Sequence, residues 1–462
     1  MSTNDYIYEE LEGIELGAEQ QIIYRFMELS GENIFVTGKA GTGKSVLLKY
    51  FAQNTMKKVI ILAPTGVAAM LVKGQTLHSR FAFNFDGVLD PDEITEKNII
   101  DDVTKSILNE IDAFVIDEIS MVRADVMECV NRKFQLAKNN KQPFGGVQMI
   151  IFGDLYQLPP VVANGEIKTY FENATDSNGK YLYGGEYFFF SRAVRRLAHF
   201  KKLKIFELEH IYRQKDKHFQ RMLNEVRIGM PSEDTLLKFN ERRIVPPAYE
   251  TLTIATKNAK ANEINGHKLD TLPGELCVYG AACTGDFRQL PNVVERELSL
   301  KVGAQVVMLR NDSQRQPRWV NGTLAEIAEL SEQEIKVKIN GAKHNIERVS
   351  WRTLEYCYDE KTRKISKQTV AEMIQFPIRL AWAMTIHKSQ GQTYKSVTVD
   401  LDSGAFVHGQ AYVALSRCES LDELYLAEEL RASDIIVDRR VDTFIKEHMV
   451  SIPKPWLAKE RT

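Results

Sequence analysis

GKAGTGKS, running from Gly38 to Ser45, decides how the rest of the chain is read. It satisfies G-x-x-x-x-G-K-[ST] in full, follows the apolar run NIFVTG (Asn33 to Gly38) and precedes VLLKYFAQ, which reads as a helix. That order of strand, glycine loop and helix is the context in which such a string cradles phosphates. The glycines let backbone N–H groups close around the anion. Lys44 brings a cation to the β- and γ-phosphates of a nucleotide, Ser45 offers an oxygen to Mg2+, and the helix N-terminus favours negative charge.

Three further runs share the character of NIFVTG. VIILAP (Val59 to Pro64), AFVIDE (Ala113 to Glu118) and MIIFGD (Met149 to Asp154) are short, apolar and β-branched, each followed by a turn or helix. They read as parallel strands buried on both faces. Ala124 to Lys138, with Val126, Val130, Phe134 and Leu136 among charges, reads as an amphipathic crossover helix. AFVIDE sets Asp117 and Glu118 at the carboxyl end of its strand, where ligands gather in open α/β sheets. An Asp there holds Mg2+, usually through water, and a neighbouring Glu polarises the attacking water. Alone, the acidic pair reads as a solvated strand end; the phosphate loop one domain-length earlier gives it weight. In FGDLYQLPP, Asp154 and Gln157 stand where a polar side chain either senses a γ-phosphate or makes turn hydrogen bonds. Arg213, in HIYRQKD, and Arg417, in AYVALSRC, suit the charge that develops in phosphoryl transfer. Taken singly, each reads first as a surface or salt-bridge residue.

A second α/β unit follows. HFQRMLNEVRIG reads as a helix stopped by Gly229 with Pro231 beyond, EDTLLKF as another helix, and LTIATKN and KSVTVDL as strands. Between these strands the pattern changes. QVVMLRN (Gln305 to Asn311), GTLAEIAEL (Gly322 to Leu330) and EIKVKING (Glu334 to Gly341) alternate in the manner of half-buried strands, and Asn340-Gly341 is a strong hairpin signal. Residues 298–370 are expected to form a small all-β insertion.

The 462 residues suggest roughly three domains. Apolar residues at 44% and charged residues at 26% describe an ordinary globular chain that needs no disulfide or metal staple. A formal net charge of −2 argues against bulk electrostatic coating of nucleic acid, but not against a narrow channel that grips one strand. Cys129, Cys277, Cys283, Cys357 and Cys418 are scattered and form no C-x-x-C pair, which points to a reducing compartment. The acidic start, with no Lys or Arg before Arg25, fits neither a secretory signal nor a mitochondrial presequence. No apolar run approaches the roughly 20 residues of a spanning helix. The expected location is cytoplasmic or nucleoid-associated, with nuclear entry left open and secretion excluded.

Taken in order, the motifs resemble those of the Pif (petite integration frequency) helicases, in the RecD-like branch of superfamily one. After the phosphate loop come APTGVAA (Ala63 to Ala69), GQTLHS (Gly74 to Ser79), DEISMV (Asp117 to Val122), PFGGVQ leading to GDLYQLPPV (Pro143 to Val161) and IYRQKD (Ile211 to Asp216). KVGAQVVMLRN (Lys301 to Asn311), WVNG (Trp319 to Gly322), AWAMTIHKSQGQT (Ala381 to Thr393) and GQAYVALSRC (Gly409 to Cys418) complete the set, which LGAEQ (Leu16 to Gln20) opens. The resemblance spans nearly the whole chain, and FGG-x-Q before GDLYQLPPV favours the Pif branch over RecD proper.

The resemblance implies an α/β fold of two RecA-like domains with parallel sheets, residues 1–200 and then 201–297 with 371–462. The β insertion would be an SH3-like barrel, and an accessory hairpin near residues 74–105 would be a strand-separating wedge. It implies ATP and Mg2+ as cofactors. ATP would be bound by Gln20, Gly38, Ala40, Gly41, Thr42, Gly43, Lys44, Ser45, Val46 and Tyr212, with Gln20 reading the adenine edge and Tyr212 stacking on the base. Ser45 and Asp117 would hold the metal. Lys44, Asp117, Glu118, Gln157, Arg213 and Arg417 would carry catalysis, the two arginines completing the site from the second domain. Single-stranded DNA would lie on Pro64, Thr65, Gly66, His78, Ser79, Thr256, Asn258, His387, Lys388 and Ser389, whose hydroxyls, amides and backbone N–H groups suit phosphates without reading sequence. Phe81 and Trp319 are placed near these loops to stack on bases, with Phe81 equally suited to the core. The implied activity is 5′-to-3′ unwinding of tailed or forked duplex by a monomer, extending to G-quadruplex and RNA–DNA hybrids, with roles in repair, recombination, replication or telomere maintenance. The competing reading is a DNA-stimulated ATPase that remodels protein–DNA complexes and barely unwinds duplex.

Overall fold

Short apolar strands with side chains buried on both sides organise the first half of this computed structural model. It describes residues 15–450 except 84–86, 96–101, 163–164, 176–181, 245–250, 287–293, 313, 315–316, 360 and 403. Six strands, β1 (Asn33–Gly38), β2 (Val59–Ala63), β3 (Gln75–Thr76), β4 (Ala113–Ile116), β5 (Gln148–Phe152) and β6 (Leu203–Leu208), form one sheet in the order β3-β2-β4-β5-β1-β6. Every pairing is parallel. Alternate side chains serve opposite faces, as strand geometry requires. Ile34, Val36, Val115, Ile150 and Phe152 pack with Ile23, Met27, Leu47 and Phe51 of the helices Ala18–Leu29 and Lys44–Asn54. Phe35, Phe114, Ile116, Met149 and Ile151 face the opposite core, where the helix Ala124–Ala137 contributes Val126, Val130 and Phe134. The strand order sets β5 between β1 and β4, so the loops after these three strands lie side by side.

The chain next makes β7 (Leu252–Ala255), β8 (Cys277–Gly280), β9 (Ala282–Gly285), β10 (Glu297–Leu300), β11 (Gln305–Met308), β12 (Leu324–Leu330) and β13 (Ile335–Ile339). It continues through β14 (Ala342–Ile346), β15 (Val349–Asp359), β16 (Lys364–Gln375), β17 (Ile378–Leu380), β18 (Ala383–Thr385), β19 (Val397–Asp400) and β20 (Leu424–Leu426). β18, β7, β19 and β20, in that order, form a second all-parallel sheet. Everything between β7 and β18 pairs antiparallel: a five-stranded sheet β14-β13-β12-β11-β17, a three-stranded sheet β15-β16-β9 and the pair β10-β8. These strands run from Cys277 to Leu380, past both limits of 298–370. The Asn340-Gly341 turn has the left-handed dihedrals its sequence asks for, φ 50° and 84°, and pairs Ile339 with Ala342. The helix Lys217–Arg227 starts on an Asp216 cap, whose Oδ1 accepts from His218 N at 2.8 Å, and stops before Gly229 at φ 70°.

Several expectations shift once the chain is folded. The first sheet takes in β6, beyond residue 200. The helix Arg439–His448 returns to the first domain: Phe444 stacks on Phe189 at 4.4 Å, and Val450 N donates to Ile205 O at 2.8 Å. Residues 84–86 and 96–101 of the expected accessory hairpin lie outside the described residues. The described part of 74–105 holds β3, the helix Leu77–Phe81, a 3-10 turn at Pro91–Glu93 and the start of the helix Asp102–Glu110. Phe81 is fully buried and stacks on Phe83 at 5.6 Å, so it is core. Trp319 belongs to the antiparallel sheet's apolar cluster with Arg318 over its ring at 4.4 Å, which corrects its assignment as a base-stacking residue.

The β15–β16 hairpin reaches back to the first sheet. β3 is only two residues long, so the edge of β2 is bare before it, and there Tyr356 Oη accepts from Ile61 N at 2.7 Å. Arg80 Nη1 donates to Tyr356 O at 3.2 Å, and Lys367 Nζ bonds Lys73 O. Tyr356→Phe should leave the Ile61 N–H buried without an acceptor, a loss of about 1–3 kcal/mol. Amide exchange at Ile61 should quicken in that variant, and unchanged protection there would show that the hairpin does not cap this edge.

Candidate nucleotide and DNA site

β1 ends where Gly38 opens the loop, and the helix that follows starts at Lys44. Lys44 Nζ donates to Gly38 O at 2.7 Å and Lys39 O at 3.0 Å. Burial pulls its pKa down, against the pull of Asp154 and Glu118. Gln20 closes one side of the loop. Its Oε1 accepts from Gly17 N at 3.0 Å and its Nε2 donates to Gly43 O at 3.1 Å. Gly43 has φ 79°, a left-handed conformation that favours glycine, and a Cβ there would lie 2.5 Å from Gln20 Nε2 and displace that amide. Tyr212 bonds through its N–H to Gly41 O at 2.8 Å, and its ring is half exposed beside Gly17. Gln20 and Tyr212 thus both flank the loop. Thr42 turns its hydroxyl inward onto Lys39 O at 3.0 Å. Ala40 is buried, its N–H donating to Tyr412 Oη at 2.9 Å, whereas Ser45 is exposed at the helix start and Val46 is half-buried behind it.

The acidic pair follows β4. Asp117 is buried; burial and the neighbouring Glu118 charge push its carboxyl up to about 7. Lys44 and Lys49 offset that push only in part, and a carboxylate oxygen with the Ser45 hydroxyl is the hard-donor chemistry that fits Mg2+. Glu118 sits in the left-handed region at φ 49° and ψ 45°, a strained conformation of the kind found at functional sites. Burial pushes its carboxyl up, opposed by Lys44 and Arg417. Asp154, after β5, is committed elsewhere than a phosphate. Arg227 from the helix Lys217–Arg227 donates to it from Nη2 at 3.0 Å and from Nε at 3.3 Å, and stacks over Tyr156 at 4.3 Å. Burial alone would raise the Asp154 carboxyl, but Arg227 and Lys44 hold it below the usual range. Gln157 is buried one turn on, its Oε1 accepting from Gln390 Nε2 at 3.4 Å.

The second half supplies the cations. Arg213 lies in the connector after β6, its Cβ against Gly41, and donates from Nη1 to Ser416 O at 3.3 Å. Burial and the nearby Arg417 lower it to about 9. Arg417 is fully buried and donates to Val413 O at 2.9 Å, Gln392 O at 2.9 Å, Ser389 O at 3.4 Å and Ser416 Oγ at 3.0 Å. The helix Gln410–Leu415 is seated against the first domain by Gly409, where a Cβ would lie 2.5 Å from the Tyr156 and Gln157 carbonyls. Lys44, Glu118, Gln157, Arg213 and Arg417 therefore meet between the two parallel sheets. Gln390, Tyr412 and Arg227 join them unannounced, although the first two lie inside quoted motifs.

The expected DNA residues all follow carboxyl ends of parallel strands. Pro64, Thr65 and Gly66 come after β2, with Thr65 Oγ1 capping Ala68 N at 3.2 Å and open space beside Gly66. His78 and Ser79 follow β3; Ser79 Oγ accepts from Gln75 at 3.0 Å and donates to Glu355 at 3.3 Å. Thr256 and Asn258 follow β7, Thr256 buried and Asn258 opening the helix Asn258–Thr271. His387 and Lys388 are exposed after β18, whereas Ser389 is wholly buried with its hydroxyl on Ile386 O at 2.8 Å, so its side chain faces inward. Among the described residues no helix is long and apolar enough to cross a membrane.

The chain is similar to known proteins in sequence and in fold. A PIF1-like helicase model matches residues 15–235, and a model of the DNA helicase Pif1 2B domain matches residues 289–330. The chain is 32% identical over 444 residues to the ATP-dependent DNA helicase Pif1 of Bdellovibrio bacteriovorus, covering 94% of this chain and 92% of that one. Bacteroides sp Pif1 in complex with ADP-AlF4 superposes with a TM-score of 0.83 at 32% identity, over 94% of this chain and 97% of that chain. Bacteroides Pif1 bound to ssDNA gives 0.66 at 33% identity over the same shares. With two parallel-sheet domains of RecA type meeting over a phosphate loop, the chain belongs to the PIF1-like family of ATP-dependent DNA helicases.

Proposed function

We propose that the chain hydrolyses ATP with Mg2+ between its two parallel-sheet domains and uses closure of that cleft to travel 5′ to 3′ along single-stranded DNA. The meeting of Glu118 and Gln157 with Gln390 across the domain boundary, beside Arg213 and Arg417, carries this reading. In it, Gln20 reads the adenine, Tyr212 stacks on it, and Gly38, Ala40, Gly41, Thr42, Gly43 and Val46 shape the phosphate cradle around Lys44. Ser45 and Asp117 would hold Mg2+, which neutralises charge on the β- and γ-phosphates when bound. Glu118 takes the proton from the attacking water. Arg213 and Arg417 stabilise the charge spread over the transferred phosphoryl group, and Gln157 links that group to domain closure.

The DNA strand would cross the tops of both sheets, on the loops of Pro64–Gly66, His78–Ser79, Thr256–Asn258 and His387–Ser389. We assign the sheet β3-β2-β4-β5-β1-β6 and the sheet β18-β7-β19-β20 to the two motor domains, in place of the bounds 1–200 and 201–297 with 371–462, and the antiparallel strands from Cys277 to Leu380, in place of 298–370, to an SH3-like closure over the strand. The chain would work as a cytoplasmic or nucleoid-associated monomer on tailed and forked duplex, with G-quadruplexes and RNA–DNA hybrids among its substrates. Relatives that bind ssDNA and forked dsDNA support this substrate class.

Lys44→Ala should lower ATP turnover by at least ~10²-fold, the loss typical when one charge-stabilising donor leaves a transition state, while DNA binding persists. Turnover near wild type in that variant would remove the phosphate loop from the chemistry. Strand displacement should occur on a duplex with a 5′ tail and not on one with a 3′ tail. The reverse preference would overturn the direction. Failure on both, with DNA-stimulated hydrolysis intact, would favour a remodelling ATPase.

A further inference from the structure

Gln390 follows the one-turn helix Ile386–Ser389 and reaches the catalytic centre of the other domain. Its Nε2 donates to Glu118 Oε2 at 3.1 Å and to Gln157 Oε1 at 3.4 Å. The two acceptors fix the amide's orientation, since the reverse placement would set Oε1 against a carboxylate. Its Oε1 is buried without a hydrogen-bond partner, so the side chain's bonding is spent on the two catalytic groups. The same turn occupies Arg417, whose Nη1 bonds the carbonyls of Ser389 and Gln392 on either side of Gln390. An amide donating to a carboxylate occupies one of its lone pairs. A general base must instead hold that lone pair within reach of the water's proton.

We propose that Gln390 is a positioning residue that holds Glu118 idle until DNA, gripped by the Thr385–Ser389 turn, draws the amide away. This would make DNA stimulation of hydrolysis a direct consequence of chain geometry: His387 and Lys388 are exposed on that turn, and Gln390 N is tied to His387 O at 3.3 Å. It rests on the reading of Glu118 as the base and of the turn as a DNA contact.

The test is steady-state ATP hydrolysis by the full chain, with and without a saturating single-stranded oligonucleotide, in Gln390→Met and Gln390→Ala. Methionine keeps the volume and loses the donor. Without DNA, kcat should rise on the order of tenfold in both variants, the factor that one charge-assisted hydrogen bond commands. KM for ATP and the DNA-saturated rate should stay near wild type, so the stimulation factor shrinks. A DNA-free rate that is unchanged or lower overturns the holding role, as does a parallel fall of both rates. Lys44→Ala, run alongside, separates the premises: turnover surviving there sinks the site itself, while its loss there with an unchanged Gln390→Met sinks only the proposal.

Discussion

Charge taken out of water must find opposite charge, and the cleft between the two parallel sheets is built on that requirement. Asp117, Glu118 and Asp154 come from strands of the first domain, and Lys44 lies beside them. Arg227, Arg213 and Arg417 arrive from the connector and the second half. Each ion left alone in such a place would cost several kcal/mol, and breaking a buried pair typically costs about 3–5 kcal/mol. The Asp154–Arg227 pair, also touching Glu207 at 3.2 Å, is therefore a strut: it fixes the loop that carries Gln157 to the first helix of the second half. Burial pushes the carboxyls of Asp117 and Glu118 up, an imbalance that the proposed Mg2+ would relieve.

The remaining contacts keep the two halves in register without filling the cleft. The C-terminal helix returns to the first sheet through Phe444 and Val450, and the β15–β16 hairpin leans on β2 through Tyr356. Gly409 lets the arginine-bearing helix approach the Gln157 backbone, and Tyr412 ties that helix to the phosphate loop. Because both sheets are parallel, all their functional loops leave from one edge each. The turn Ile386–Ser389 and the carboxylate of Glu118 thus become neighbours through a single side chain, Gln390. In the proposed function, chemistry on the nucleotide and grip on the strand would need no long relay.

The sequence made the motor architecture legible wherever local pattern and global fold agree. NIFVTG is β1 residue for residue, Ala124–Ala137 is the expected helix less one residue, and Asn340-Gly341 turns where its chemistry demands. The limits of the antiparallel region were less legible, because β8, β9 and β10 find their partners across long stretches of chain that periodicity does not reveal. Trp319 illustrates the same blind spot: an aromatic beside a motif reads as a stacking platform until its neighbours in three dimensions bury it. Arg227 looked like one more charge in an amphipathic helix, and only the fold sets it against Asp154. Glu118's left-handed backbone had no signal at all, since the strain arises from the turn after β4 and not from residue type.

Most depends on the site being completed by the second half, and Arg417→Ala tests that directly by single-turnover ATP hydrolysis with DNA present. Loss of the rate by about 10³-fold, as expected when a transition-state arginine is removed, with nucleotide binding retained, is the predicted result. Hydrolysis at the wild-type rate would contradict a shared site and leave the first domain to act alone.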